Sequence, residues 1–220
     1  MAATDPRHAR SSAAPRRQRG FSLLEILVTM LILTIGLLGL AGLQVFAQRM
    51  GQESYQRAQA MVILGDIMDR INTNRAAATC YAITTSSTAG TPYLGTNAGG
   101  GHYATSGFSC PSLVTNPNAV ARASQDITAI DTTLLGAAET AGGASAGAMI
   151  GARTCIGFDS TTQTYTVAVA WQGMSSTFSP ASWSTTTTPA VARNCALNLY
   201  GTDDTLRRVV WNTFLVAALN

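Results

Sequence analysis

Residues 26–48 form a stretch of 23 residues without a single charge, and this run limits the chain more than any other feature. As a helix rising ~1.5 Å per residue it reaches ~35 Å, enough to cross a hydrocarbon core of ~30 Å. Before it, the first twenty residues hold five Arg (Arg7, Arg10, Arg16, Arg17, Arg19) and one acid, Asp5. After it the chain turns polar. Positive flanks stay in the cytoplasm, so the C-terminal body is expected on the far side of the membrane. A plain signal anchor and a cleaved secretory signal share this pattern. The run is longer than the ~7–15 apolar residues of a signal peptide, which favours the anchor. Val45-Phe46-Ala47 would nevertheless serve as a small-residue cut site ahead of Gln48.

Charge is scarce and unevenly placed. Of 220 residues only 11% are charged, against ~25% in an ordinary domain, which argues against a charge-driven disordered chain. All fourteen basic residues are Arg. Beyond residue 20 the body carries nine Arg and ten acids, a formal charge of −1, so nucleic-acid binding is not indicated.

Glu25 stands at the start of the apolar run. A carboxylate at the centre of a membrane helix costs about 2.5–3.5 kcal/mol on insertion scales, and a simple anchor gains nothing from it. A cut between Gly20 and Phe21 would create an amine four residues before Glu25, on the same helix face. A carboxylate in one subunit and such an amine in its neighbour would neutralise each other where water is scarce.

The segment Arg17-Gln18-Arg19-Gly20-Phe21-Ser22-Leu23-Leu24-Glu25, followed by the apolar run, resembles the type IV prepilin motif in the class that begins with Phe after processing. The resemblance implies cleavage after Gly20 by prepilin peptidase on the cytoplasmic side and N-methylation of Phe21 by the same enzyme. It makes residues 1–20 a leader, 21–48 the membrane and filament-core helix, and 49–220 the head. Four later stretches, at 36–44, 66–75, 169–173 and 207–210, are similar in order and spacing to the PilV-like minor pilins, the type IV pilus modification proteins. The N-terminal motif is shared by pilins and by the pseudopilins of type II secretion systems.

From residue 49 onward the pattern stays helical. Ala60, Met61, Leu64, Ile67, Met68 and Ile71 recur at 3–4 spacing, with Asp66, Asp69 and Arg70 on the other face. No Pro occurs between Phe21 and Arg75, so one helix of about 50 residues is expected. Gly36, Gly39 and Gly42 sit three apart in the apolar run and suit close helix–helix packing. Residues 76–150 read as a Gly/Thr-rich loop with a short helix inside it. Val120, Ala123, Ile127, Ile130 and Leu134 mark that helix, started by Asn116 or Asn118 around Pro117. The tracts 95–101 and 142–147 read as turns. Neither ends in the Lys-Ser/Thr of a phosphate-binding loop.

Beyond Arg153 the period becomes two. Tyr165, Val167, Val169 and Trp171 alternate with Thr166, Ala168 and Ala170, a half-buried strand. Residues 154–158 pair with it as a hairpin, and 195–200 and 208–217 supply two further strands. The fold class is therefore α+β and pilin-like: a long N-terminal helix, membrane half then amphipathic half, packed on a C-terminal antiparallel sheet of about four strands.

Cys80, Cys110, Cys155 and Cys195 all fall in the translocated part, where an even number favours disulfides. Of three pairings, Cys80–Cys110 with Cys155–Cys195 leaves the loops unentangled. No CxxC or HxxxH pair suggests a metal, and no cofactor is expected. Catalysis has little support. His102, read as a surface residue, has only Ser106 or Ser109 nearby and no nucleophile elbow. The adjacent acids Asp203 and Asp204 read as solvent-facing. Trp171 and Trp211 read as core, Trp183 as exposed. The expectation is a structural subunit without enzymatic activity. It is held in the inner membrane with its head in the periplasm and joins the pilus with other minor pilins and the major pilin. Prepilin peptidase and the inner-membrane assembly platform are its other partners. A type II pseudopilin and a signal-anchored or secreted envelope enzyme are the alternatives.

Overall fold

The structure, a computed structural model, describes residues 20–136, 140–141, 144–145, 149–201 and 204–217. Residues 1–19 of the expected leader, most of the 142–147 tract and Asp203 lie outside the described residues. The chain divides into two compact units after Ala47.

Helix α1 runs over Leu23–Thr73, 51 residues, as the absence of Pro and the run of Leu, Ile, Ala, Met and Gln dictate. It stops at Asn74, whose φ of −108° and ψ of 49° leave the helical region. The Asn74 side-chain amide donates to the Ala119 carbonyl (2.8 Å) and to the Tyr81 hydroxyl (3.0 Å), which fixes the exit of the chain. A short 3-10 segment, Arg75–Tyr81, follows. Helix α2, Pro117–Leu134, starts at Asn116, whose Oδ1 accepts from the amides of Asn118 (3.1 Å) and Ala119 (3.2 Å), with Pro117 at the first turn.

The main sheet is antiparallel and four-stranded. Its order is β1 (Leu94–Gly95), β4 (Arg153–Asp159), β5 (Thr164–Gln172), β6 (Arg207–Leu215). Strands β2 (Thr140–Ala141) and β3 (Ala144–Ser145) form a separate small hairpin. The β4–β5 pair is a hairpin in which Cys155 lies opposite Ala168 and Ile156 opposite Val167.

Strand β5 is buried on both faces, which corrects the half-buried reading. Val167, Val169 and Trp171 join Leu64, Ile67 and Ile71 of α1 and Ala123, Ile127 and Ile130 of α2 in one core. Ala168 and Ala170 face a second core with Val191, Ala192, Cys195 and Tyr200. Short helix α3 (Ala190–Asn194) and the chain after it supply this third layer. The apolar Ala168 and Ala170, where a solvent-facing strand would place polar residues, carried the signal. Gly157 makes the close approach feasible: a Cβ there would meet Val191 Cγ2 at 2.5 Å.

Residues 195–200 are not a strand. Ala196 and Asn198 have φ of 54° and 60°, which no extended strand accommodates. Arg207 holds the carbonyls of Arg193 (2.7 Å) and Cys195 (2.8 Å), so these groups are committed elsewhere. The fourth strand is instead Leu94–Gly95, which overlaps, at Gly95, the 95–101 tract read as a turn.

Candidate assembly interface

Gly20, Phe21 and Ser22 precede α1, and Glu25 lies in its first turn. The Ser22 carbonyl accepts from the amides of Glu25 (3.0 Å) and Ile26 (3.3 Å). Position alone favours an acid here, because a helix N-terminus carries partial positive charge. The Thr29 and Thr34 hydroxyls donate to the Ile26 and Leu31 carbonyls (both 2.9 Å), so both hydroxyls of the apolar run are satisfied within the helix. Its side chains point outward: Phe21 is 80% exposed and Leu38 75%. A Cβ added at Gly36, Gly39 or Gly42 would meet nothing within 4 Å. By length and composition α1 qualifies as a membrane-crossing helix, with a mean hydropathy of 2.5 over its apolar window.

Beyond Ala47 the helix has two sides. Ala60, Leu64, Ile67 and Ile71 are buried. Tyr55, Met61 and Val62 are exposed, so the expected inward face loses Met61. Two ion pairs fix this half of the helix to the head. Arg70 Nη1 meets Asp126 Oδ1 at 2.8 Å, and Arg208 Nε meets Glu53 Oε1 at 2.5 Å. Asp126 also accepts from the Tyr81 hydroxyl at 2.5 Å. Burial, reinforced by the Asp126 carboxylate, pushes the Tyr81 phenol well above its usual range. Burial likewise pushes Tyr200 up to about 12, against the opposing charge of Arg153.

Cys80 is bonded to Cys110 and Cys155 to Cys195. His102 is not a free surface residue: its Nε2 lies 3.0 Å from Asp131 Oδ1, and its side chain is 16% exposed. Asp131 also accepts from the Gly95 amide (2.7 Å), so it ties α2 to β1. Among the described residues the His102 ring hydrogen-bonds Asp131 and neither Ser106 nor Ser109. Asp204 turns inward, contrary to its solvent-facing reading. It grips the fully buried Arg207 guanidinium at 2.6 Å, since a buried charge needs a countercharge. Trp171 is core, Trp211 is partly buried, and Trp183 is partly buried rather than exposed. Among the described residues no cluster of three or more His, Cys, Asp or Glu side chains is placed to hold a metal. The Glu53–Arg208 and Tyr81–Asp126 contacts went unread in the sequence, for their partners lie 155 and 45 residues apart.

The N-terminus decides the relationship. Residues 15–41 match the family model of the prokaryotic N-terminal methylation motif. This motif supports a type IV pilin-like protein or pseudopilin processed by prepilin peptidase and assembled with other pilins. Proteins of that type are structural. The apolar helix and the motif together fit a membrane-anchored pilin. No curated protein and no solved structure matches the chain.

Proposed function

We propose that the chain is a minor type IV pilin of the PilV-like kind, a subunit of the small complex that primes or caps the pilus. Prepilin peptidase breaks the Gly20–Phe21 peptide bond on the cytoplasmic side, and the freed Phe21 amine is N-methylated. Residues 21–48 then hold the subunit in the inner membrane, with the head, 49–220, in the periplasm. Assembly with other minor pilins and the major pilin proceeds at the inner-membrane platform.

One observation carries this reading. A methylation motif opens a helix whose apolar side chains are exposed among the described residues. Such surface must be covered by lipid or by neighbouring helices. The exposed Tyr55, Met61 and Val62 extend that surface past the apolar run. The two later PilV-like stretches are neighbours in the sheet, with Trp171 opposite Arg208 and Val169 opposite Val210, which supports the narrower reading. Glu25 pairs with the amine of an adjacent subunit and sets register, the best-attested use of a buried ion pair. Replacing Glu25 with Ala should leave membrane insertion intact and reduce incorporation into pili, scored by subunit recovery in sheared pili. Normal incorporation of the variant would contradict the pairing.

A further inference from the structure

Three charged residues follow the apolar run on one side of the helix. Arg49, Glu53 and Arg57 recur at a spacing of four, beginning directly after Gln48. As helix they lie within ~14 Å of Gln48, whichever way the head is turned. Glu53 is engaged by Arg208. Arg49 and Arg57 are exposed and take part in none of the ion pairs found among the described residues.

An apolar patch stands beside them. Arg208 reaches from Glu53 to the Ser175 carbonyl and the Thr177 hydroxyl (both 2.6 Å), so it pins the 174–183 loop to this side of the helix. The loop presents Phe178, 71% exposed and the most exposed aromatic side chain of the head among the described residues. Phe178 joins neither core. Trp183, partly buried, lines one cleft with Phe178, Glu53 and Arg57. A ring held in water by a pinned loop loses the burial energy that aromatic residues ordinarily contribute.

The place of the patch in the chain says what covers it. A chain anchored through residues up to Gln48 keeps the next few residues at the headgroup zone, which is ~5–8 Å deep on each side of the hydrocarbon core. Aromatic rings and Arg are the side chains that suit this zone, the rings against the acyl boundary and the cations on phosphate. Two cations without a countercharge select anionic headgroups. The tether is short, so the patch meets the surface at an effective concentration on the order of millimolar or above, and weak attraction per residue suffices. Leu113 supplies the contrast. It is 91% exposed but lies beside Arg75 and Thr79, past the other end of the helix.

We propose that, before assembly, this patch docks on the bilayer that anchors the chain, with Arg49 and Arg57 on the phosphates of anionic phospholipids and Phe178 and Trp183 at the boundary between headgroups and acyl chains. The inference rests on the membrane-anchored reading and names the face of the head that the membrane covers.

The test places the full chain in vesicles of phosphatidylcholine, with and without phosphatidylglycerol. A nitroxide label is attached at Phe178→Cys or at Leu113→Cys, both exposed positions. The label at 178 should be shielded from a water-soluble relaxation agent when phosphatidylglycerol is present, and the label at 113 should stay open to it. Arg49→Gln combined with Arg57→Gln should weaken docking about tenfold, as should high salt, with thermal unfolding in micelles unchanged. A label at 178 as open as that at 113, shielding that is equal without phosphatidylglycerol, or shielding that survives loss of both arginines would each overturn the proposal. Shielding that grows with the protein-to-lipid ratio would overturn it too, since a neighbouring subunit would then be the occupant. If alkaline extraction releases the chain from the vesicles, the anchored reading itself fails. A retained chain with an open label at 178 overturns the docking alone.

Discussion

Residues 23–47 and 48–73 belong to one helix, yet they solve opposite problems. The first half exposes almost every side chain, and its glycines face open space. The second half buries Ala60, Leu64, Ile67 and Ile71 and is pinned to the head by Arg70–Asp126 and Glu53–Arg208. Backbone hydrogen bonds within a helix need nothing from outside, so the same secondary structure serves in either setting. What differs is where the side chains find partners. The head satisfies itself through two cores, two disulfides and buried ion pairs. The rod requires lipid or other helices.

Substitutions in the two regions should therefore separate cleanly. The largest effect is expected at Arg207, which is fully buried and holds Asp204 and two carbonyls. Arg207→Met strands a buried carboxylate and should cost the head about 3–5 kcal/mol, measured by chemical denaturation in micelles. A cost below about 1 kcal/mol would show that the third layer does not depend on this lock. Next comes a matched pair. Ile67→Ala opens a cavity in the core and should cost about 2–5 kcal/mol, whereas Leu33→Ala, in the exposed rod, should leave head unfolding unchanged. Equal effects would erase the distinction between the two halves.

The smallest effect is set by pH. Tyr81 and Tyr200 have folded-state pKa values raised above the ~10 of a free phenol. Their contribution is therefore complete below about pH 10 and is lost as pH climbs through about 12, where Tyr200 ionises. Head stability should fall over that window, and Tyr81→Phe with Tyr200→Phe should flatten the slope. A slope unchanged in the double variant would assign it to other groups.

Much of this architecture was readable from residue order, for a reason that varies along the chain. The 51-residue helix followed from an unbroken apolar run and the absence of Pro. Strands β5 and β6 and helix α2 followed from their periods. Residues 195–200 misled because their apolar content mimics a strand, while the positive φ at Ala196 and Asn198 depends on how Cys155 and Arg207 hold the neighbouring chain. Strand β1 has two residues, too few to show any period. The methylation motif was plain in the sequence, since residues 15–41 form one contiguous pattern. The Glu53–Arg208 tie stayed hidden because its partners lie 155 residues apart.

The proposed pilin role requires a trimmed N-terminus, and the mature chain reports on it most directly. Mass spectrometry of the protein recovered from membranes of cells that possess prepilin peptidase should show a first residue of Phe21 carrying one N-methyl group. A chain that keeps its Arg-rich leader in such cells, or that begins at Gln48, would contradict it.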